Sequence, residues 1–333
     1  MSEQNVELSL IAIRWLQDNY PQLRGFMAAV SELGRFEFYL AVVTLIYWSL
    51  NKRVGVALAY TLSLSDALNA GLKHFFRDPR PYWLDPSVKW ADFASYGLPS
   101  GHSQGAAVFY LILAGQFAAA GPWLLALALL LLMGLSRVYL GVHDIPDTLI
   151  GAWIGASLAT LYFAWERHAA GRFSNRILGQ RLLYALLPPL GVAAVYLASM
   201  LLLGPADRQV AWSAYQPAAE RESLESITSA LAGWLGLSAG FVLESGRVRF
   251  ASRGPIWKRL LRFPIGLAGT LLLWRGLALL FPADPLWLAL PLRFLRLFLA
   301  ALWVSYYGPW LFVKLRLAEA EKPETRLVLG TTG

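Results

Sequence analysis

The chain alternates between apolar runs of about 15–23 residues and short polar interruptions. A helix needs about 20 residues to cross the hydrocarbon core of a bilayer, so these runs predict membrane spans. Nine spans follow from the pattern, near residues 34–50, 54–73, 103–120, 122–140, 148–165, 182–204, 227–243, 263–281 and 294–313. Pro188, Pro189 and Pro309 fall inside spans and are expected to kink them. Before the first span, residues 5–30 (NVELSLIAIRWLQDNYPQLRGFMAAV) mix apolar and charged positions, which predicts an amphipathic segment lying along the membrane surface. No basic leader runs directly into an apolar block at the N-terminus, so no cleaved signal peptide is expected. The predicted fold is an all-α polytopic membrane helical bundle. Its parts are an N-terminal segment over 1–33, a motif-bearing core over 34–180, further transmembrane helices over 181–318 and a flexible tail over 319–333.

Composition supports this picture. Hydrophobic residues make up 57% of the 333 positions and charged ones 15%, whereas soluble domains have roughly 45–50% apolar and about 25% charged residues. There is no cysteine, which excludes disulfides, thiolate metal sites and a cysteine nucleophile. The net charge of +8 would suit nucleic acid, but the basic residues are distributed by topology. Loops on the side opposite the N-terminus carry Lys52, Arg53, Arg167, Arg172, Arg176, Arg181, Arg247, Arg249, Arg253, Lys258, Arg259, Arg262, Lys314, Arg316, Lys322 and Arg326. The positive-inside rule makes that side, with the C-terminus, cytoplasmic.

Three segments on the other side hold unusual polar residues. In DALNAGLKHFFRDPRPYW (66–83), Lys73 ends the second span and Arg80 follows on a stiff Asp-Pro-Arg-Pro arm, because residues preceding proline are pushed toward extended conformations. In GLPSGHSQG (97–105), Ser100 is a candidate N-cap, Gly101 allows close backbone approach and His102 stands in the first turn of a helix, where free N–H groups suit an anion. In SRVYLGVHDIPD (136–147), Arg137 precedes His143, and Asp147 lies four residues further on, one helical turn from the imidazole. Each has a bland reading alone: Lys73 and Arg80 as headgroup anchors, His102 as an interfacial residue, Asp147 as a helix cap beside an incidental His143. Together they place three cations, two histidines and a carboxylate on one face of an apolar protein. That is the inventory of a phosphoryl-transfer site.

The order and spacing of Lys73, Arg80-Pro81, Pro99-Ser100-Gly101-His102, Ser136-Arg137, His143 and Asp147 resemble the type 2 phosphatidic acid phosphatases over roughly residues 35–165. The resemblance implies a membrane phosphatase in which His143 is the nucleophile that forms a phosphohistidine, oriented by Asp147. It implies that His102 protonates the leaving oxygen, while Lys73, Arg80, Arg137, Ser100 and Gly101 hold the phosphate. No metal or other cofactor is expected. The layout, with WLQDNY ahead of the first span and DALNAGLK leading to RPYW, is also similar to the glucose-6-phosphatase branch. There Asp66 and Asn69 share a helix face with Lys73 as candidate supporting residues, Asp66 either pairing with a basic group or bonding to a neighbouring helix.

The resulting expectation is hydrolysis of a phosphomonoester or diphosphate on the extracytoplasmic side of a membrane, the plasma (inner) membrane first, with the site facing periplasm, exterior or lumen. The substrate expected is a lipid phosphate such as phosphatidic acid, phosphatidylglycerophosphate or an isoprenoid diphosphate. The alternatives are a sugar phosphatase, a phosphotransferase, and a non-enzymatic transporter or scramblase, for which a motif residue would be lost. The partners are the substrate and the bilayer, with no nucleic acid. His74 and His168 fit no motif and read as surface residues. The 14 Trp and 14 Tyr predict interfacial belts, with Tyr82 and Trp83 near a substrate entrance.

Overall fold

In a computed structural model, which describes residues 3–321, every predicted span overlaps helix, although the third, 103–120, outruns its helix, which ends at Ala114; no β-structure forms among the described residues beyond an isolated bridge between Phe250 and Ala320. The N-terminal segment forms α1 (Glu3–Asn19) and α2 (Arg24–Glu32). The core follows as α3 (Phe36–Leu45, extended by a wide turn to Leu50), α4 (Lys52–Phe76), the short α5 (Pro81–Leu84), α6 (Gly101–Ala114), α7 (Ala120–Tyr139) and α8 (Ile145–His168). A short α9 (Ala170–Ser174) leads to α10 (Leu178–Leu203), α11 (Gln216–Leu243), α12 (Ile256–Leu271), α13 (Leu277–Leu280), α14 (Leu286–Leu302) and α15 (Gly308–Lys314).

Among the described residues, six helical stretches are long and apolar enough to cross a membrane: Ala120–Tyr139, Ile145–His168, Leu178–Leu203, Ser213–Val248, Ile256–Leu280 and Leu286–Lys314. The count of nine is therefore not established. The stretch Phe36–Leu50 is shorter than a full span, and α6 has only 14 residues. α4 is long enough at 25 residues but carries Lys52, Arg53, Asp66 and Lys73.

The ends of the helices that build the core are set by local chemistry. Asn51 caps α4 by accepting from the backbone N–H groups of Arg53 and Val54, and the Asp78-Pro79-Arg80-Pro81 run stops the helix at its other end. Ser100 caps α6, accepting from Ser103 N. Just past the end of α7 the chain turns at Gly141, whose φ of +73° is left-handed and whose missing side chain makes room for the Val88 carbonyl. α8 packs on α6 through Gly151 and Gly155, where a Cβ would collide with the carbonyl oxygens of Ser100 and Gln104. This small-residue seam lets two backbones approach closely.

The additional helices pack directly on the core, α11 lying against both α4 and α14. At the end of α4 remote from Lys73, Lys52 Nζ contacts Glu244 at 2.8 Å. There the buried Arg262 donates to the carbonyls of Trp48, Ala251, Ser252, Arg253 and Leu317. The basic loops thus gather at one end of the bundle. Of the segment expected as a tail, Glu319 and Glu321 pair with Ala251 and Arg249 through the backbone, and residues 322–333 lie outside the described residues.

Candidate active site

The three motifs converge at the opposite end. Arg80 is buried, and its guanidinium is fixed by Ser95 O at 2.6 Å, Ser95 Oγ at 2.8 Å and Val142 O at 2.8 Å. The same Nη1 lies 3.3 Å from His143 Nε2. On the other side of that ring, His143 Nδ1 lies 2.8 Å from Asp147 Oδ2. A guanidinium can only donate, so Nε2 carries the lone pair and Nδ1 carries the proton, which it donates to the carboxylate. Burial and the nearby cations, Arg80 first, hold the imidazole pKa well below its usual range, so His143 is neutral at pH 7. Burial lowers Arg80 only to about 10, which leaves it charged.

Asp147 is free to serve His143 because it does not cap its own helix. Asp144 does, accepting from Asp147 N at 2.7 Å, so the reading of Asp147 as an N-cap is corrected. Burial raises the Asp144 carboxyl to about 6. Oxygens of Asp78, Asp144 and Asp147 come within 4.8 Å of one another. One Asp147 oxygen is committed to His143 and one Asp144 oxygen to the cap, and an acidic cluster of this kind does not by itself make a metal site.

The Pro-Ser-Gly-His turn is pinned to this helix: Ser100 N donates to Asp147 O at 3.0 Å. Asn69 supports the turn from α4, its amide donating to Pro99 O at 3.1 Å and Gln104 Oε1 at 3.0 Å. It also sets the size limit at Gly101, where a Cβ would sit 3.0 Å from the Asn69 side-chain oxygen. His102 follows with its Nε2 buried and without a hydrogen-bond partner. Arg137 is fully buried; it donates to Ser31 Oγ, and its Nε and Nη2 have no partner. Lys73 donates to Tyr96 O and to Gly97 O, at 2.7 Å for the latter, which leaves one of its three N–H groups uncommitted.

The arrangement therefore presents an imidazole lone pair, a second imidazole, and unpaired guanidinium N–H groups around one spot. The Phe93 ring covers it, with its centroid 4.5 Å from Arg137 Cζ, 5.2 Å from Arg80 Cζ and 5.6 Å from the centre of the His102 ring. Such a site can bind a phosphoryl group and transfer it to a ring nitrogen.

Residues 54–170 match the PAP2 superfamily, and residues 228–320 match the transmembrane extension of PAP2 superfamily phosphatases. Phosphatidylglycerophosphatase B of Bacillus subtilis (strain 168) is 30% identical over 151 residues, covering 41% of this chain and 72% of that protein. The chain belongs to the PAP2 superfamily. An undecaprenyl-diphosphatase of Sulfolobus acidocaldarius is 27% identical over 170 residues, 46% of this PAP2 chain and 77% of the relative. Sphingosine-1-phosphate phosphatase 2 of Mus musculus is 30% identical over 155 residues, 44% of this chain but only 43% of that one. The crystal structure of the PAP2-type phosphatidylglycerolphosphate phosphatase of Bacillus subtilis is similar at 24% identity and a TM-score of 0.40, covering 47% of this chain and 86% of that one.

Around the PAP2 motifs stand residues that the sequence did not single out. Ser31 comes from the N-terminal segment and Gly34 from the turn that follows it, Gly34 packing so close to His102 that a Cβ would lie 2.6 Å from its ring. The segment is clamped down by Gln17, which donates to Val88 O at 3.0 Å and Tyr139 O at 2.9 Å. Glu220 of α11 accepts from Tyr96 Oη at 2.5 Å and lies 3.5 Å from Arg77. Two expectations change. His74 is not a surface residue: the last turn of α4 packs on α10, which buries its ring 5.1 Å from that of Tyr196. Asp66 touches none of the catalytic candidates and makes no hydrogen bond or ion pair to any described residue; it faces a cavity. His168 is exposed as expected, whereas Tyr82 and Trp83 are buried, Trp83 stacking on Tyr215.

Proposed function

We propose that this protein is an integral-membrane lipid phosphatase that hydrolyses a phosphomonoester or diphosphate through His143. The observation that carries the reading is the state of that ring: buried, neutral, its Nδ1 proton held by Asp147 and its Nε2 lone pair facing the guanidinium of Arg80. In the first step Nε2 attacks phosphorus, and the bond to the leaving oxygen breaks as His102 delivers its proton there. This leaves a phosphohistidine on Nε2. In the second step His102 takes a proton from water, the hydroxide attacks phosphorus, and the P–N bond breaks to return the lone pair to Nε2. Arg137, with Nε and Nη2 uncommitted, and Arg80 hold the non-bridging oxygens, with Lys73 and the backbone at Gly101 beside them.

The lipid class is favoured by the relatives, whose names place their activities on phosphatidylglycerophosphate, undecaprenyl diphosphate and sphingosine-1-phosphate. The gathering of basic loops at the other end of the bundle favours a site that faces away from the cytoplasm, with the C-terminus inside. The test is phosphate release by purified protein in EDTA from phosphatidic acid, phosphatidylglycerophosphate, undecaprenyl diphosphate and glucose-6-phosphate, each against His143→Ala. The expected result is release from a lipid substrate that the variant abolishes. Release that survives the substitution would overturn the role of His143. Preference for glucose-6-phosphate would overturn the lipid reading, and phosphorylated acceptor in place of free phosphate would mark a transferase.

A further inference from the structure

A cavity of about 490 Å³ lies between the core and the additional helices, walled by α3, α4, α11, α12 and α14. Lys73 and Ser95 line it, and both belong to the phosphate site, Ser95 through its two bonds to Arg80. The cavity therefore opens on the place where a leaving group would emerge. Much of its wall is apolar, supplied by Leu40, Val43, Leu62, Leu237, Leu297 and Val304.

Its polar groups are nearly all committed within the protein. Thr44, Ser63, Ser223 and Thr270 each donate to a backbone carbonyl of their own helix, and Ser226 donates to Glu222. Arg293 contacts Glu225, and Arg296 donates to Trp274 O at 3.1 Å. The exceptions are the Tyr39 hydroxyl, which has no hydrogen-bond partner, and Asp66. Asp66 sits mid-helix in a membrane bundle, lines the cavity, is exposed to it and has no partner among the described residues. An ionisable side chain at such a position is costly, and the cost is offset when a ligand supplies the missing donor. Asp66 and Lys73 are seven residues apart on one face of α4, which places them roughly 10 Å apart along the helix.

We infer that this cavity receives the lipid leaving group and that Asp66 selects leaving groups carrying a hydrogen-bond donor, a hydroxyl or an ammonium, within about 10 Å of the phosphorus. This rests on the lipid phosphatase reading above for the position of the phosphate. The apolar wall takes the chain while the carboxylate takes the donor. A substrate without a donor leaves the carboxylate unpaired in the filled cavity, and discrimination of this kind is stronger than that of an apolar pocket.

The test compares kcat/KM for three lipids in mixed micelles: dioleoyl phosphatidic acid, whose leaving group has no donor; oleoyl lysophosphatidic acid, with a hydroxyl; and sphingosine-1-phosphate, with a hydroxyl and an ammonium. In Asp66→Leu the preference for each donor-bearing lipid over phosphatidic acid should fall about 10- to 100-fold, the loss expected for a hydrogen bond to a charged group. Asp66→Asn separates the two sources: it keeps an acceptor for the hydroxyl and restores the lysophosphatidic acid preference, but it lacks the charge an ammonium needs. Thermal unfolding supplies the control. A carboxylate kept for ligand binding should give an unchanged or higher Tm when replaced by leucine, whereas a lower Tm with equal losses on all three lipids would mean a structural role and overturn the proposal. Unchanged preferences would overturn it too. Equilibrium binding of 1-oleoylglycerol, sphingosine and dioleoylglycerol reads the cavity without the chemistry. If the wild type releases no phosphate but binds through Asp66 the two lipids that carry a donor besides the hydroxyl freed from phosphate, the catalytic reading fails and the subsite stands.

Discussion

Replacing Asp147 by asparagine isolates the part played by negative charge. The carboxylate lies 2.8 Å from His143 Nδ1, and both side chains are about 1% exposed, so solvent screens the pair little. When Nε2 takes a phosphoryl group the ring becomes cationic, and the two charge centres stand about 4 Å apart. At an effective dielectric of about 20 their attraction is worth about 4 kcal/mol. At 1.36 kcal/mol per decade this corresponds to roughly a thousandfold in rate. The asparagine has a choice of orientation. Carboxylate oxygens of Asp78 and Asp144 lie within 4.8 Å of an Asp147 oxygen, so the new NH2 turns toward them and the amide oxygen stays on the His143 Nδ1 proton. The tautomer is kept, and the expected loss is about 10³-fold rather than the ~10⁴-fold that tautomer inversion costs in a comparable triad. The assay is single-turnover phosphate release from the preferred lipid at saturating enzyme, with thermal unfolding alongside. Removing one of three crowded carboxylates should not lower Tm. A loss below tenfold in a variant that melts normally would refute the reasoning.

Two further predictions follow from the same site. Arg137→Met should lower the rate by about 10²–10³-fold, the usual cost of removing one transition-state donor, while Tm stays level or rises because a buried, partly unpaired cation is gone; normal turnover with a lower Tm would contradict this. A ¹⁵N-histidine NMR titration, resolved among only four histidines by a His143→Ala variant, should give His143 a midpoint below its unperturbed value of about 6.5. The neutral ring is then favoured in the folded protein, so its contribution to stability is full above pH ~6.5 and is lost as pH falls toward the folded midpoint. A midpoint at or above that value would contradict the cation-rich setting.

What the sequence made legible was local or periodic. The four-residue spacing of His143 and Asp147 becomes a direct contact because both flank the first turn of α8, and the Pro-Ser-Gly-His turn starts α6 with Ser100 as its cap. What it hid depends on packing between distant segments. Ser31 reaches Arg137 across 106 positions, and Glu220 reaches Tyr96 across 124. Nothing about either residue type signals such a meeting. Asp144 was overlooked because two aspartates three residues apart compete for one cap, and only the backbone geometry decides between them. The count of nine spans is not matched by length and apolarity for a physical reason too: α4 carries the polar groups clustered near the motifs, and α6 has only 14 residues. Neither then has the length and apolarity of an ordinary span.

The seam between α6 and α8 bears on how the molecule can move. Ser100 N is bonded to Asp147 O, and Gly151 and Gly155 seat the two helices backbone to backbone, so His102 and the Asp147–His143 pair ride on one stiff frame. Thermal displacement carries them together and leaves their relative alignment intact. Residues 85–99, whose regular structure is one three-residue turn, lie outside this frame; they carry Phe93 over both guanidiniums, and their Ser95, Tyr96 and Gly97 hold Arg80 and Lys73. Two of the cations are thus held on a different segment from the two histidines, so a substitution that shifts this segment need not detune the reacting pair.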